Sequence, residues 1–558
     1  MSGMILILLD MGFEAISIPS WGVPALIVGY STASLVYAFQ RWKSFGQSAL
    51  DLILPVGGLI LILLALVFEA MGWENDHFSP ISLQAVLFLA GLVEAAKVGS
   101  LITTFSLSAA RVIIYSFSFL ILLGTLLLSF PGASYDGISI TDSVFMAVSA
   151  VCVTGLSVCS LSQEFTFFGQ MIILTLIQLG GLGIMTFTSF FGSFFRGERS
   201  VEQGLLLSRL NHTDNLNQAF LLLRQVVVIT LLMEFIGTCL VFIFLPGGFD
   251  LSKIYTAIFH SVSAFCNAGF STFDASLYAP ALQDRTGLHL SIAILFVIGG
   301  LGFPILSNGL TYLSYLMTYY YKQLVLNIPH PRRKIVIDLN TTIVLITTAI
   351  LLVFGTLSFF VLEQGNTLSG LPLGQQLATA FFEASTPRTA GFNSFDLQEM
   401  GRPAILLTCI LMWIGASPAS TGGGVKTTTL ATAALAMISF ARRKERIEIQ
   451  HRWISEESVK RAFIILSASL VFIGLGIAAL ALTEENIPLK LLLFECISAF
   501  STVGLSLGIT AELSPAGKWV LIVLMFSGRV GSLTLLLSLF KPTKSRQYRY
   551  PEETILIN

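Results

Sequence analysis

Val151-Cys152-Val153-Thr154-Gly155-Leu156-Ser157 is a short polar turn with one glycine, placed directly after a short apolar segment. Three altered copies follow: Cys266-Asn267-Ala268-Gly269-Phe270-Ser271, Arg388-Thr389-Ala390-Gly391-Phe392-Asn393 and Ser501-Thr502-Val503-Gly504-Leu505-Ser506. Their central glycines lie 114, 122 and 113 residues apart. Four turns at nearly constant spacing predict four structural repeats about one axis.

The surroundings of the turns repeat as well. A long apolar stretch comes first, then a short one, then the turn, then a second long stretch. These stretches are 112–130, 141–152 and 168–192 in the first repeat, and 219–245, 253–265 and 288–314 in the second. They are 340–362, 374–385 and 403–438 in the third, and 461–482, 487–500 and 517–540 in the fourth. The short segments cannot cross about 30 Å of hydrocarbon at about 1.5 Å per residue. Each is therefore expected to be a re-entrant pore helix. Thr141-Asp142 offers a helix start, with either side chain available to cap. With M1 and M2 for the long helices, the expected fold is an all-α polytopic membrane protein. It has four M1–pore helix–M2 repeats in pseudo-fourfold arrangement plus an N-terminal helical extension. The units are 1–111 for the extension, then 112–199, 200–325, 326–445 and 446–558, the last with a C-terminal tail.

Composition points the same way. The 558 residues are 54% hydrophobic and 11% charged, with a mean hydropathy of +0.82. A soluble protein carries about 25% charged residues. A net charge of -1 gives no electrostatic argument for nucleic acid. Six cysteines are scattered with no CxxC pair, so neither a disulfide framework nor a zinc site is expected. Met1 to Phe13 has no basic segment and carries Asp10, which argues against a cleaved signal peptide. Apolar stretches near 22–39, 51–71 and 80–96 suggest about three spans in the extension, with the N-terminus outside.

Charge placement sets the expected orientation. The connections between repeats carry Arg196, Arg199, Arg209 and Arg224, then Lys322, Arg332, Arg333 and Lys334, then Arg442, Arg443, Lys444, Arg446, Arg452, Lys460 and Arg461. The tail adds Lys541, Lys544, Arg546 and Arg549. Loops within repeats hold acidic residues instead, among them Asp136, Asp142, Asp274, Asp396, Glu484 and Glu485. The positive-inside rule places the connections in the cytoplasm and the four turns on the outer side of a plasma membrane.

Non-helical backbone at membrane depth is tolerated only where protein buries it or it lines water. Four such turns around one axis can supply rings of carbonyls that replace a cation's hydration shell. Glycine leaves those carbonyls unobstructed, and the pore helices aim their partly negative C-terminal ends inward. Small residues also permit close helix packing, but recurrence after four re-entrant stretches favours a cation pore.

The third M2 is interrupted by Gly415-Ala416-Ser417-Pro418-Ala419-Ser420-Thr421-Gly422-Gly423-Gly424-Val425-Lys426-Thr427. Pro418 removes a donor and three glycines weaken helix, so an unwound loop is expected halfway along. A phosphate-binding loop would need Gly-Lys-[Ser/Thr], and here Val425 separates Gly424 from Lys426. A simple kink is the plain alternative; a polar, flexible gate beneath the turns fits the glycines better. Arg529 sits in the middle of the last helix, where an arginine is costly unless it faces the pore or a partner. It is read as an inward positive charge below the turns, docking on the loop. Arg388 is expected at a solvent-reached outer mouth. Glu383 and Glu495 are expected to anchor turns by accepting backbone donors, and His260 to make a polar pore-helix contact.

The sequences CVTGLS, CNAGFS, TPRTAGFN and STVGLS, with the terminal Tyr550-Pro551-Glu552-Glu553-Thr554-Ile555-Leu556-Ile557, resemble the Ktr/Trk/HKT superfamily of potassium transporters over residues 112–558. The terminal stretch resembles the KtrB-type branch; the long N-terminal extension departs from that branch. The resemblance implies a potassium selectivity filter of Cys152, Val153, Thr154 and Gly155, Cys266, Asn267, Ala268 and Gly269, Arg388, Thr389, Ala390 and Gly391, and Ser501, Thr502, Val503 and Gly504. Glycine at 155, where serine accompanies sodium transport in the family, favours potassium as the ion carried. The family also has an intramembrane loop matching Ser417 to Lys426 and an arginine matching Arg529, both ascribed to gating. It further implies a homodimer working with a cytoplasmic nucleotide-binding ring of the KtrA/TrkA type, with sodium dependence in some members. A secondary cation transporter, sodium- or proton-coupled, with broken helices is the alternative, although these repeats run parallel and only one helix is plainly broken. No catalytic cluster of the HExxH or GxSxG kind suggests an enzyme or an organic cofactor.

Overall fold

The computed structural model describes residues 109–183, 216–324, 338–444, 446–449 and 452–539. The N-terminal extension, apart from its last three residues, lies outside them, as do the basic stretches 196–209 and 332–334 and the tail 541–558. The first unit consists of α1 (Ala109–Leu128), α2 (Ile140–Val151) and α3 (Phe167–Leu182). The second has α4 (Leu216–Phe244), α5 (Leu251–Phe265), α6 (Thr286–Leu301) and α7 (Phe303–Leu324). The third has α8 (Leu339–Glu363), α9 (Leu373–Ser385), α10 (Arg402–Trp413) and α11 (Thr427–Ala441). The fourth has α12 (Glu456–Thr483), α13 (Leu489–Ser501), α14 (Pro515–Val530) and α15 (Ser532–Leu539). A small antiparallel pair of strands, Glu448–Ile449 with Arg452–Trp453, interrupts the helical pattern between the third and fourth units.

The four first helices, α1, α4, α8 and α12, are each long and apolar enough to span a membrane. Their outward residues are apolar: Leu122, Val361 and Leu475 are 62%, 70% and 65% exposed. Such a surface has hydrocarbon, not water, as its natural solvent.

The pore helices α2, α5, α9 and α13 begin and end close to the expected limits. Each carries a fully buried phenylalanine within its span: Phe145, Phe259, Phe382 and Phe494. The start of α2 differs in detail from expectation. Ser139, not Thr141 or Asp142, is the cap; its hydroxyl accepts from Asp142 N at 3.1 Å and donates to the Asp142 carboxylate at 2.7 Å. The hydroxyl satisfies one of the free backbone donors of the first turn and fixes the Asp142 carboxylate beside it. Asp142 also accepts from Lys518 Nζ at 2.6 Å, tying α2 to α14.

Packing closes a circle. The second helix of each unit leans on the next unit's pore helix: α3 on α5, α6 on α9, α10 on α13, and α14 back on α2.

The second helices depart from expectation. The sequence suggests one interruption; all four second helices end or bend. After 16 residues, or about 24 Å, α3 ends at Gly183 (φ +75°). Between α6 and α7 the chain bends by 106° at Gly302 (φ +97°), and between α14 and α15 by 93° at Gly531 (φ +90°). Residues 414–426 separate α10 from α11. The cause lies three residues upstream of each bend. A methyl group on Gly180, Gly299 or Gly528 would strike the carbonyl of Val151, Phe265 or Phe500 at the end of that unit's own pore helix. Glycine lets each second helix touch its pore helix there, and the next glycine takes the left-handed turn that ends it.

Candidate functional site

The four turns form a closed ring, and the glycines show it directly. A methyl on Gly155 would strike Ala268 O, and one on Gly269 would lie 2.8 Å from Ala390 O. One on Gly391 would strike Val503 O, and one on Gly504 would strike Thr154 O. Each unit's glycine thus lies against the next unit's carbonyl, and the fourth meets the first. All four glycines have positive φ, from +70° to +93°. So do the residues two positions before them: Val153, Asn267, Thr389 and Thr502, at +51° to +73°. The residue between is not left-handed in any unit. Alternating handedness lets successive peptide groups present like atoms on one side. Holding four non-glycine residues left-handed costs about 1–2 kcal/mol each, which the surrounding packing must outweigh.

On one side of the ring lies a cavity of about 340 Å³ lined by Gly155, Gly269, Gly391 and Gly504, with Asp274 and Asp396 on its wall. Ser162 and Gln163 hold the Asp274 carboxyl below its usual range, so it stays anionic at the mouth. The opposite side is covered by the loop at 414–426. Thr421 Oγ1 lies 3.0 Å from the Asn267 amide, which also reaches Thr389 Oγ1 at 3.3 Å. Gly423 N donates to Thr502 Oγ1 at 3.0 Å, and a side chain on Gly422 would strike Thr389 Oγ1. The loop is held from below as well. Ser417 N donates to Gly300 O at 3.0 Å, and Phe303 N to Ala419 O at 2.9 Å. Lys426 Nζ donates to Gly422 O at 2.6 Å. The Arg529 guanidinium donates to Thr421 O in the loop and to Gly180 O of α3. Loop and arginine together touch all four units directly beneath the ring.

Other predicted residues lie elsewhere than at the ring surface. Cys152 and Cys266 are fully buried in apolar clusters behind it. Ser501 Oγ is buried and unpartnered. Arg388, expected at a solvent-reached mouth, is only 8% exposed and reaches Thr348 Oγ1 of α8 at 3.4 Å. Its side chain belongs to the wall between pore helix and first helix, because in the third unit that wall supplies the hydroxyl. Glu383 accepts from Ser394 N at 2.8 Å, bracing the chain after Gly391. Glu495 accepts from Ser506 Oγ and Thr510 Oγ1 in the fourth unit, and His260 Nε2 lies 3.0 Å from Ser271 Oγ in the second. Met146 and Ser157 occupy the matching places in the first, 3.5 Å apart.

Sequence reading missed two sets of residues. One is the glycines Gly180, Gly299 and Gly528, whose signal is a Gly-x-x-Gly frame following the first, second and fourth turns. The other is a buried hydroxyl near the end of each pore helix, Ser149, Ser263, Thr386 and Ser498.

A family model described as TrkH, cation transport protein, matches residues 86–548. The Ktr system potassium uptake protein B of Vibrio alginolyticus is 36% identical over 454 residues, covering 80% of this chain and 94% of that protein. The potassium/sodium uptake protein NtpJ of Enterococcus hirae is 35% identical over 463 residues, covering 81% of this chain and 97% of that one. In fold, the crystal structure of the potassium transporter TrkH from Vibrio parahaemolyticus aligns with a TM-score of 0.62 at 19% identity, over 92% of this chain and 97% of that one. The family match begins at residue 86, so the likeness reaches into the extension, upstream of residue 112.

Proposed function

The chain belongs to the TrkH family of cation transport proteins, and from that premise we propose that it is a potassium uptake subunit of the plasma membrane. The observation that carries the reading is the ring, in which four glycines each abut the carbonyl of the next unit. Residues 152–155, 266–269, 388–391 and 501–504 form the selectivity filter, and their carbonyls take the place of the ion's water. The pore helices point their C-terminal dipoles at the same place and favour a cation there.

The gate is the loop Ser417 to Lys426 with Arg529. A guanidinium beneath the filter opposes cation passage, and its bond to Thr421 O ties that charge to the loop. Moving the loop therefore withdraws the plug and breaks that bond, leaving the arginine held by Gly180 O alone. Potassium is cargo in this reading. Relatives named for a Ktr system support association with a further subunit; in this reading that subunit is a cytoplasmic nucleotide-binding ring and the chain works as a homodimer.

One observation favours a second reading, a sodium-coupled carrier. All four second helices end or bend beside the pathway, as broken helices do in coupled transporters, and one relative is named for both ions. Uptake of potassium by a transport-deficient host, with and without sodium and a coexpressed ring protein, tests both. Growth rescue at low potassium without sodium supports the pore; rescue only with sodium favours coupling. No potassium movement under any of these conditions would overturn the assignment. Gly155→Ser should weaken discrimination against sodium in the same assay, and unaltered selectivity would count against the filter.

A further inference from the structure

The ring carbonyls are held from behind by one residue in each unit. The backbone carbonyl of Ser149 accepts from Thr154 N at 2.8 Å, and that of Ser263 from Ala268 N at 2.7 Å. Those of Thr386 and Ser498 accept from Ala390 N and Val503 N, both at 2.9 Å. Thr154, Ala268, Ala390 and Val503 own the carbonyls against which the neighbouring glycines lie. The side chains of the first three also reach the other end of the arc, and that of Ser498 reaches its middle. Ser149 Oγ donates to Leu156 O at 2.6 Å, Ser263 Oγ to Phe270 O at 2.7 Å, and Thr386 Oγ1 to Phe392 O at 2.6 Å. Ser149 Oγ also accepts from Gly155 N, and Ser498 Oγ from Gly504 N, each at 3.1 Å.

We propose that Ser149, Ser263, Thr386 and Ser498 are positioning residues that set ion discrimination. Ser149, Ser263 and Thr386 clamp a three-residue arc, the ring residue, the glycine and its successor, at both ends, and Ser498 holds the ring residue and the glycine of the fourth. The clamp rests on the filter reading above and says how the filter keeps its radius. Backbone bonds alone fix only the start of each arc. Without the hydroxyl, the peptide planes after the glycine can rotate, because glycine offers no steric resistance. The ring carbonyl would then no longer be held at one distance from the axis, and a filter that can relax accommodates a smaller alkali cation. All four side chains are fully buried, so water cannot stand in for the lost hydroxyl. The third unit supports the assignment. There the clamp sits five residues before the glycine where the others sit six before, and the hydroxyl bond to the glycine's successor is kept despite the shift.

Thr386 gives the cleanest test, since valine matches its shape and serine keeps its hydroxyl. Purified protein in vesicles is assayed for potassium uptake against competing sodium, with thermal melting to verify folding. Thr386→Val should lose roughly tenfold in potassium-over-sodium discrimination, through KM more than maximal rate, the loss expected for one buried hydrogen bond. Thr386→Ser should discriminate as the parent does. A folded Thr386→Val with parental discrimination overturns the proposal, as does a Thr386→Ser that is equally impaired. Where Thr386→Val does not fold, Ser149→Ala decides by the same readout. Gly155→Ser in parallel separates the two readings. If it shifts discrimination and the clamp variants do not, the clamp alone fails; if none shifts it, the filter reading fails as well.

Discussion

A methyl group added at Gly528 would land on the Phe500 carbonyl, a backbone atom that cannot step aside. Gly474, on α12, has nothing within 4 Å of the same added group. The pair makes a controlled prediction. Gly528→Ala should destabilise the protein by about 1–3 kcal/mol, the usual cost of overpacking. Gly474→Ala should be neutral or gain up to about 1 kcal/mol, as alanine does over glycine in a helix. Thermal melting in detergent compares them, and equal melting temperatures would refute the close contact between α14 and α13. At this scale the sequence is most legible where chemistry is costly. Arg529 stands out because a charge in an apolar helix needs a partner, and the structure gives it Thr421 O and Gly180 O. Ser149 and Ser263 do not stand out, since a serine in an apolar helix costs little and can bond its own turn. Arg388 was legible as unusual but not as buried, because its partner Thr348 lies 40 residues away on another helix.

The loop at 414–426 is seated by side chains it would collide with if it were any larger. An alanine at Gly423 would strike Thr502 Oγ1, the atom to which Gly423 N now donates. Gly423→Ala should therefore unseat the loop from the ring, leaving the filter turns in place. Under the gating reading, potassium uptake in the absence of the ring partner should rise several-fold, and Arg529→Ala or a shortened loop should act in the same direction. Initial uptake rates in vesicles measure this; unchanged rates in all three variants would remove the loop from the gate. The other elements were legible in proportion to their contrast with the surroundings. Pore helices α2, α5, α9 and α13 are apolar runs bounded by polar turns, so their limits fall within a residue or two of those expected. The break in the third second helix announces itself by Pro418 and three glycines. The end at Gly183 and the bend at Gly302 do not, because Leu-Gly in an apolar run carries no polar signal of a helix end; the bend at Gly531 is masked by Arg529, whose charge draws the reading to itself.

The molecule as a whole has two chemically different faces, and its symmetry was readable from four glycines alone. What closes the circle, α14 packing on α2 with Lys518 joined to Asp142, joins residues 376 apart and had no local signature. Orientation is the remaining property of the whole. Basic residues gather on the connections between units and acidic ones on the loops beside the turns. The positive-inside rule then puts the cavity bearing Asp274 and Asp396 outside and the loop with Arg442 and Arg443 inside. This sense matters for the proposed function, since uptake through the ring requires the cavity to meet external potassium. Two exposed positions test it: Glu485 after α12, and Arg443 after α11. A membrane-impermeant thiol reagent applied to intact cells should label Glu485→Cys at once and Arg443→Cys only after permeabilisation. Of the native thiols near the cavity, Cys159 adds little background, because burial pushes it up to about 12 and leaves almost no thiolate at neutral pH. The reverse labelling pattern would invert the chain in the membrane. It would turn the acidic mouth into a cytoplasmic one and remove the basis for uptake.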